Sequence, residues 1–377
     1  MKIVKISGGL GNQMFQYAFA RALEEQSGEP VELDLTTYEY LPAHNGFELD
    51  KIFPVKFTEA SVEDIDRLGT RPTSLSKRIR RKYLTKPTHF IDRGFSYDSE
   101  VFRLQGDRYL EGYWQSEKYF SPIADRMRAE FTFVADPGKR NSDLVASLQE
   151  RRQEGMVPVS IHVRRGDSLR CSTSMVCTNE YYRNALALVH QKIQKPLFVV
   201  FSDDIPWCRQ SLDLGRSESL YVDWNKGTDS WKDMWLMSQC EAHIIANSSF
   251  SWWGAWLDPN PEKLVIAPER WFALKSQRTS YYRLDFSDVL PENWVRVPVD
   301  TMRILHVVTN ADLGGAPRVV TELANRAVAA GYSCAAASVP VGPFWDHLNS
   351  RVERLPLRHL RRTLDPLQDF LAVLELV

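Results

Sequence analysis

From Val157 to Ala267 the chain repeats one grammar, and that repetition constrains the fold more than any other feature. An apolar run of strand length is followed at once by small or charged residues, then by a helical stretch. "VPVSIHV" leads to "NEYYRNALALVHQKI", whose Tyr182, Ala185, Leu186, Val189 and Ile193 share one face. "PLFVVF", "SLYVDW", "AHIIA" and "KLVIA" continue as strands, with helices predicted at "IPWCRQSL", "DSWKDMWLMSQC" and "NSSFSWWGAWL". Strands alternating with helices imply an α/β fold with a parallel, doubly wound sheet. Ligands of such sheets sit outside the carboxyl ends of the strands. "HVRRGD", "FSDD" and "NSSFS" fall there, each directly after an apolar strand.

The N-terminus reads as a βαβ unit. "KIVKIS" is a strand, "GGLGNQ" a turn and "MFQYAFARALEEQSG" a helix with Met14, Phe15, Ala18, Phe19, Ala22 and Leu23 on one stripe. Gly28 fits a helix C-cap, and "VELDL" is the next strand. From Tyr38 to Arg140, including the basic run "KRIRRKYL" and the aromatic "YLEGYWQSEKYF", loops and helices over a first lobe are expected. After "PENWVRVPVD", a strand, a glycine loop and a helix start again in "MRILHVVTNADLGGAPRVVTELANRAV". The expected division is a lobe over 1–155, a second over 156–300 and a partial βα segment over 301–377. In that last segment Val319, Val320, Leu323 and Ala327 form a helix face that must bury against something.

With 377 residues there is chain enough for two ordinary cores. The net charge of -1 provides no global field to recruit nucleic acid or an anionic membrane, so any anion affinity must be local. Five cysteines, odd in number and without metal-ligand spacing, suit free thiols in a reducing compartment, although Cys171 and Cys177 are near enough in sequence to pair. No segment reads as a signal peptide or approaches the roughly 18 apolar residues of a membrane span. The expectation is a soluble cytoplasmic protein.

The motifs each carry two readings. Arg164 and Arg165, beside Gly166 at a strand end, suit bidentate contact with a diphosphate; a structural ion pair with Asp167 or another carboxylate is the alternative. Asp203 and Asp204 suit a metal, a ribose or a base edge, or else a cap on the helix that follows. Asn247, Ser248, Ser249 and Phe250 open a helix, where exposed N–H groups attract anions. The tryptophans behind them read as core rather than as a sugar platform. "GGLGNQM" places Gly9 and Gly11 as in a dinucleotide loop, with Asp34 where a ribose-binding acid would lie, but Met14 stands where the third glycine belongs. Asn12 and Gln13 point instead to side chains reaching into a cleft. His162 is a base, a nucleotide contact or a satisfied strand histidine. No G-x-S-x-G, Walker A or H-E-x-x-H pattern occurs.

In their order, "GGLGNQMFQYA", "HVRRGD", "FSDD" and "ANSSFSWWGAWL" resemble the α-1,2-fucosyltransferase family, glycosyltransferase family eleven, over about residues 1–295. The resemblance implies a B-type glycosyltransferase fold of two Rossmann-like lobes, with the donor between them. It implies inverting transfer of L-fucose from GDP-β-L-fucose to the 2-hydroxyl of a galactose-type residue, without a metal or other cofactor. Arg164 then matches the arginine that binds the diphosphate, with His162 and Asp167 its companions and Arg165 beside it. Asp203 and Asp204 would serve the nucleotide, Asn247 to Phe250 the phosphates, and Asn12 and Gln13 the fucose and acceptor. Asp167 is the candidate base, a departing phosphate oxygen the alternative. Residues 302–377 separately resemble the opening of a family-four glycosyltransferase, with Gly314 and Gly315 in its first turn. The partners implied are GDP-fucose and a galactoside glycan, in the cytoplasm or, with a lipid-linked acceptor, at the inner membrane face. A nucleotide-sugar-binding protein without turnover and a metal-dependent transferase of another sugar are the rival readings.

Overall fold

The computed structural model describes residues 1–40, 44–70, 85–92, 94–166, 177–272, 286–299, 303–329, 333–361 and 365–376. The chain divides into two compact units, Met1–Val299 and Asp300–Val377.

The first unit holds two parallel sheets. β1 (Lys2–Lys5), β2 (Val31–Asp34), β3 (Thr58–Glu59), β4 (His89–Ile91) and β5 (Arg108–Glu111) lie in the order β3-β2-β1-β5-β4. β6 (Val157–Val163), β7 (Pro196–Ser202), β8 (Ser219–Val222), β9 (Ala242–Ile244), β10 (Leu264–Pro268) and β11 (Val295–Val297) lie in the order β11-β10-β9-β6-β7-β8. Every strand pair in both sheets is parallel. The chain of the second sheet runs outward from β6 to one edge and then from β9 to the other, as in dinucleotide-binding sheets. Its switch point is the crevice between the ends of β6 and β9. In the first sheet the chain steps outward from β1 to β3, crosses to the opposite edge at β4 and steps back in to β5 beside β1, without such a reversal. The α/β expectation therefore holds for both sheets.

Two differences concern the first sheet and one the second. The helix α1 runs Leu10–Ser27, so Leu10 to Gln13 form its first turn rather than a loop. Its left-handed C-cap is Gly28, as expected. The stretch expected to be loop and helix instead supplies three strands of this sheet, Thr58–Glu59, His89–Ile91 and Arg108–Glu111, the last of them beside β1. Val295–Val297, in the proline-bearing stretch, is the edge strand paired with β10. The basic run 77–84 lies outside the described residues.

An aromatic core joins the two sheets. Phe15 of α1 meets Trp252 and Trp253 at ring separations of 4.6 and 4.9 Å, and Phe120 stacks on Trp253 at 5.4 Å. Trp252, Trp253 and Trp256 are 0%, 0% and 2% exposed, so they are core, as the sequence suggests.

The second unit has β12 (Arg303–Val307), β13 (Ser333–Ser338) and β14 (Glu353–Pro356) side by side and parallel. The helix Gly315–Ala329 packs on them through Pro317, Ala324, Ala327 and Val328. The expected burying face is corrected: Ala327 is buried and Val320 partly so, but Val319 and Leu323 are exposed. A three-stranded sheet gives that helix only a narrow strip of small residues to cover. Among the described residues, no helix is long and apolar enough to cross a membrane. Cys177, Cys208, Cys240 and Cys334 are buried thiols; Cys171 lies outside the described residues.

Candidate active site

The turn after β6 is held by carboxylates from the end of β7. The N–H groups of Arg165 and Gly166 donate to the two oxygens of Asp203, at 2.9 and 2.8 Å. A Cβ on Gly166 would lie 2.9 Å from that carboxylate, so only glycine admits the clamp. Asp204 caps the helix Ile205–Ser211 by accepting from the Trp207 N–H at 3.1 Å. Its other oxygen faces Arg165 Nε at 3.4 Å, while the Arg165 guanidinium lies 4.0 Å above the Trp207 ring. Arg165 and Asp204 thus take the ion-pair and cap readings, while Asp203 clamps the turn through its backbone N–H groups. They fix the course of the backbone that carries Arg164. Asp167 lies outside the described residues.

His162, on β6 beside this turn, stays neutral. Burial pushes its imidazole down to about 3, and the nearby Arg164 charge acts in the same sense. Its Nδ1 is buried with no partner among the described residues, while its carbonyl accepts from Tyr182 Oη at 3.0 Å. A proton-accepting role at neutral pH does not suit a group so weakly basic.

Across the switch point, the amide of Asn247 is committed to the protein. Its Nδ2 donates to the Trp271 carbonyl at 3.1 Å, and its Oδ1 accepts from Cys177 Sγ at 3.5 Å. Ser248 caps the helix Ser249–Trp256 through the Phe250 N–H. What this loop presents is the start of that helix, with half-buried Ser249 and Phe250.

The first sheet meets it here. A Cβ on Gly11 would lie 2.6 Å from the Ser249 carbonyl carbon and 2.7 Å from the Phe250 nitrogen. The first turns of the two helices therefore touch backbone to backbone. Trp253 Nε1 seals the contact by donating to the Gly11 carbonyl at 3.0 Å. The starts of both helices, and so their partial positive charge, lie together at this contact.

Gln13 corrects the expectation placed on it. It is fully buried, donates to the Gly8 and Gly46 carbonyls at 3.0 and 2.8 Å and accepts from the Glu48 N–H at 2.9 Å. It staples the turn and reaches no cleft. Asn12 reaches the segment after β5. Its Oδ1 accepts from Gln115 Nε2 at 2.7 Å, and its Nδ2 lies against Gly8, where a Cβ would come within 2.6 Å of it. Gln115 was missed in the sequence. The signal was there, because "GYWQS" follows the strand "RYLE" as "RRGD" follows "SIHV". Trp114, next to it, holds the left-handed φ of 54° on a bulky residue.

Two look-alikes lose their chemistry. Asp34 is 2% exposed and accepts from the Thr36 N–H, Thr36 Oγ1 and Tyr109 Oη, so no ribose acid stands after β2. Ser160, His243 and Asp258 form a Ser–His–Asp relay at 2.8 and 3.1 Å, but all three are at most 3% exposed. No substrate reaches that serine. The relay bonds β6 to β9, and burial lowers the His243 pKa. Among the described residues, no three His, Cys, Asp or Glu side chains converge as a metal site.

The family model for glycosyl transferase family 11 matches residues 1–297. The chain belongs to that family. An α-1,2-colitosyltransferase of Escherichia coli is 32% identical over 307 residues, covering 78% of this chain and 98% of its own. The galactoside 2-α-L-fucosyltransferase Sec1 of Mus musculus is 24% identical over 261 residues, covering 68% of this chain and 64% of its own. The fucosyltransferase NodZ from Bradyrhizobium superposes with a TM-score of 0.40 at 14% identity, covering 68% of this chain and 92% of its own. The family 11 match ends two residues before the boundary of the first compact unit. This transferase therefore carries its family features in the unit that holds both parallel sheets.

Proposed function

We propose that the protein transfers L-fucose, with inversion, from GDP-β-L-fucose to the 2-hydroxyl of a galactose-type residue in a glycan. The observation that carries this reading is the meeting of two helix starts, Gly11 against Ser249, between the two parallel sheets. Arg164 follows β6 beside His162, and the neutral Asn12–Gln115 pair joins the start of α1 to the segment after β5. As the bond from C1 to the phosphate oxygen breaks, negative charge grows on the β-phosphate. A fixed guanidinium and oriented N–H groups stabilise that charge more than they stabilise the bound donor. His162 Nδ1 supplies a neutral contact beside it.

The transfer is read as metal-independent. Three oxygens of Asp203 and Asp204 already accept from backbone N–H groups, and the fourth faces Arg165. That leaves little basis for a cation site, and the diphosphate charge is met by Arg164 and the helix starts. Full activity in excess EDTA is expected; loss on chelation, restored by Mg²⁺ or Mn²⁺, would return the two aspartates to a metal.

A second donor is favoured by one observation, the 32% identical relative named for colitosyl transfer. A panel of GDP-fucose and a colitosyl donor against galactosides, with product linkage read by NMR, separates the two. GDP release only in the presence of an acceptor supports the transferase. Tight GDP-sugar binding with no release over the whole panel would favour the binding-protein reading.

A further inference from the structure

The first sheet carries a second group of residues at its carboxyl edge that neither the motifs nor the relatives assign. Asp92 follows β4, and its N–H continues the pairing with β5 by donating to the Glu111 carbonyl at 2.8 Å. Its Oδ1 accepts from the Gly94 N–H at 2.9 Å, and no described residue donates to Oδ2. The carboxylate is thus fixed through one oxygen and open at the other. Gly112, on the neighbouring chain, makes room for it: a Cβ there would lie 2.8 Å from both Asp92 Cβ and Trp114 Cε2.

Beside it stands Tyr113, exposed at 36% and stacked on Phe95 with ring planes 11° apart. Phe95 in turn meets Phe272 of the second lobe at 4.7 Å, next to the Trp271 carbonyl that holds Asn247. Besides the aromatic core, the lobes thus touch at Gly11 on Ser249 and at Phe95 on Phe272. The ends of β4 and β5 lie on the same sheet edge as the first contact and adjoin the second. Two strand spacings, roughly 10 Å, separate the end of β4 from the end of β1, room for one sugar ring.

We propose that Tyr113 is the platform for the acceptor sugar and that Asp92, through Oδ2, takes the proton from its attacking hydroxyl. This rests on the transferase reading above. An aromatic face with one polar edge suits the C–H face of a pyranose. In the step, the acceptor O–H proton passes to Oδ2 as its oxygen bonds to C1 of the donor sugar. The bond from C1 to the β-phosphate oxygen breaks, and its electron pair leaves with GDP. The titration of Asp92 fits the task. Burial raises its carboxyl to about 6, and the Asp98 charge pushes the same way; Tyr119 is the other titratable group facing it. A base is most effective with its pKa near working pH.

The test begins with the unaltered protein. Its kcat should rise with pH through about 6 and level off above; a flat profile from pH 5 to 7.5 overturns the base role without any variant. Asp92→Asn should bind GDP as tightly as the parent and lose about 100-fold or more in kcat. It should also melt at a higher temperature, because it relieves a buried charge. A variant that keeps kcat within a few fold and the same acid limb overturns the proposal. Tyr113→Ala should raise the acceptor KM about tenfold with the donor KM unchanged, and Tyr113→Phe should restore it; an unmoved acceptor KM overturns the platform. Failure of the parent reading looks different, since the unaltered protein would then bind no GDP or transfer no sugar.

Discussion

The two turns that build the cleft are held in opposite ways. After β6, the chain is gripped by charge: Asp203 holds two N–H groups, and Asp204 caps a helix and faces Arg165. After β1, the grip is neutral. Gln13 ties Gly8, Gly46 and Glu48, and Gln16 joins Ser7 to Gly112. Burial differs accordingly, with Gln13 and Gln16 at 0% and Asp203 at the surface. A turn proposed to carry the Arg164 guanidinium toward phosphate can use solvated carboxylates to anchor its backbone. A turn facing hydroxyl groups needs no net charge and can be buried. The difference teaches that charge in "HVRRGD…SDD" marks two separate jobs, one toward the ligand and one toward the chain.

Replacing Arg164 by Lys breaks the comparison most sharply. The charge stays and the fork is lost, so turnover should fall about 100-fold or more while the melting temperature holds. Near-parental turnover would remove Arg164 from the diphosphate. On the neutral side, Gln13→Leu should act on stability instead. It strands the Gly46 carbonyl and the Glu48 N–H in the interior, and urea unfolding should show a loss of about 3 kcal/mol. A loss under 1 kcal/mol would mean that the amide staple is dispensable.

Acid sharpens the contrast further. The imidazole of His162 is pushed down to about 3, so below its unfolded value near 6.5 the unfolded chain binds the extra proton. Its contribution is whole above about 6.5 and fades as pH falls toward 3. Asp92 has the opposite sign: its carboxyl is raised to about 6, so its contribution is present in acid and lost as pH rises. Between pH 7.5 and 5, His162→Asn should reduce the acid loss of unfolding free energy by about 2 kcal/mol relative to the parent. An unchanged difference between the two pH values would show that His162 is protonated in the fold. The smallest effect is expected from the tail. A chain ending at Asp300 keeps β11 and the Thr178 bond to the Val299 carbonyl, and should fold and transfer sugar like the full chain. Loss of catalysis in a well-folded truncated chain would place part of the tail in the active site.

The second sheet was legible because its strands β6 and β7 are seven-residue apolar runs with polar residues immediately behind. Its crevice could be placed from that pattern alone. β11 hid because its three residues, alternating as Val-Arg-Val between Pro291 and Pro298, are too short a run to read as a strand. β5 hid for another reason: "RYLE" has charges at both ends and an aromatic segment behind it, which mimics a helix stripe. The site followed the same rule. Arg164 declared itself by charge, whereas Gln115 and Asp92 owe their roles to neighbours brought together by strand order, β1 beside β5 beside β4. The left-handed φ of Trp114 carries no glycine to announce it. Gln13 and Asn12, adjacent and alike in chemistry, point to opposite fates because α1 starts at Leu10 and turns one inward.

Gly11 has a mechanical meaning. Where its backbone lies on Ser249 there is no side chain between the lobes to deform, and the rings of Phe15, Phe120 and Trp253 fill the space behind it. The far contact, Phe95 against Phe272, is tied as well: on that side the Tyr97 N–H donates to Asp288 at 2.8 Å and Lys118 pairs with the same carboxylate at 2.6 Å. The lobes are thus latched at more than one point, and a side chain added at Gly11 would be felt as a shift of one lobe on the other rather than as a local dent.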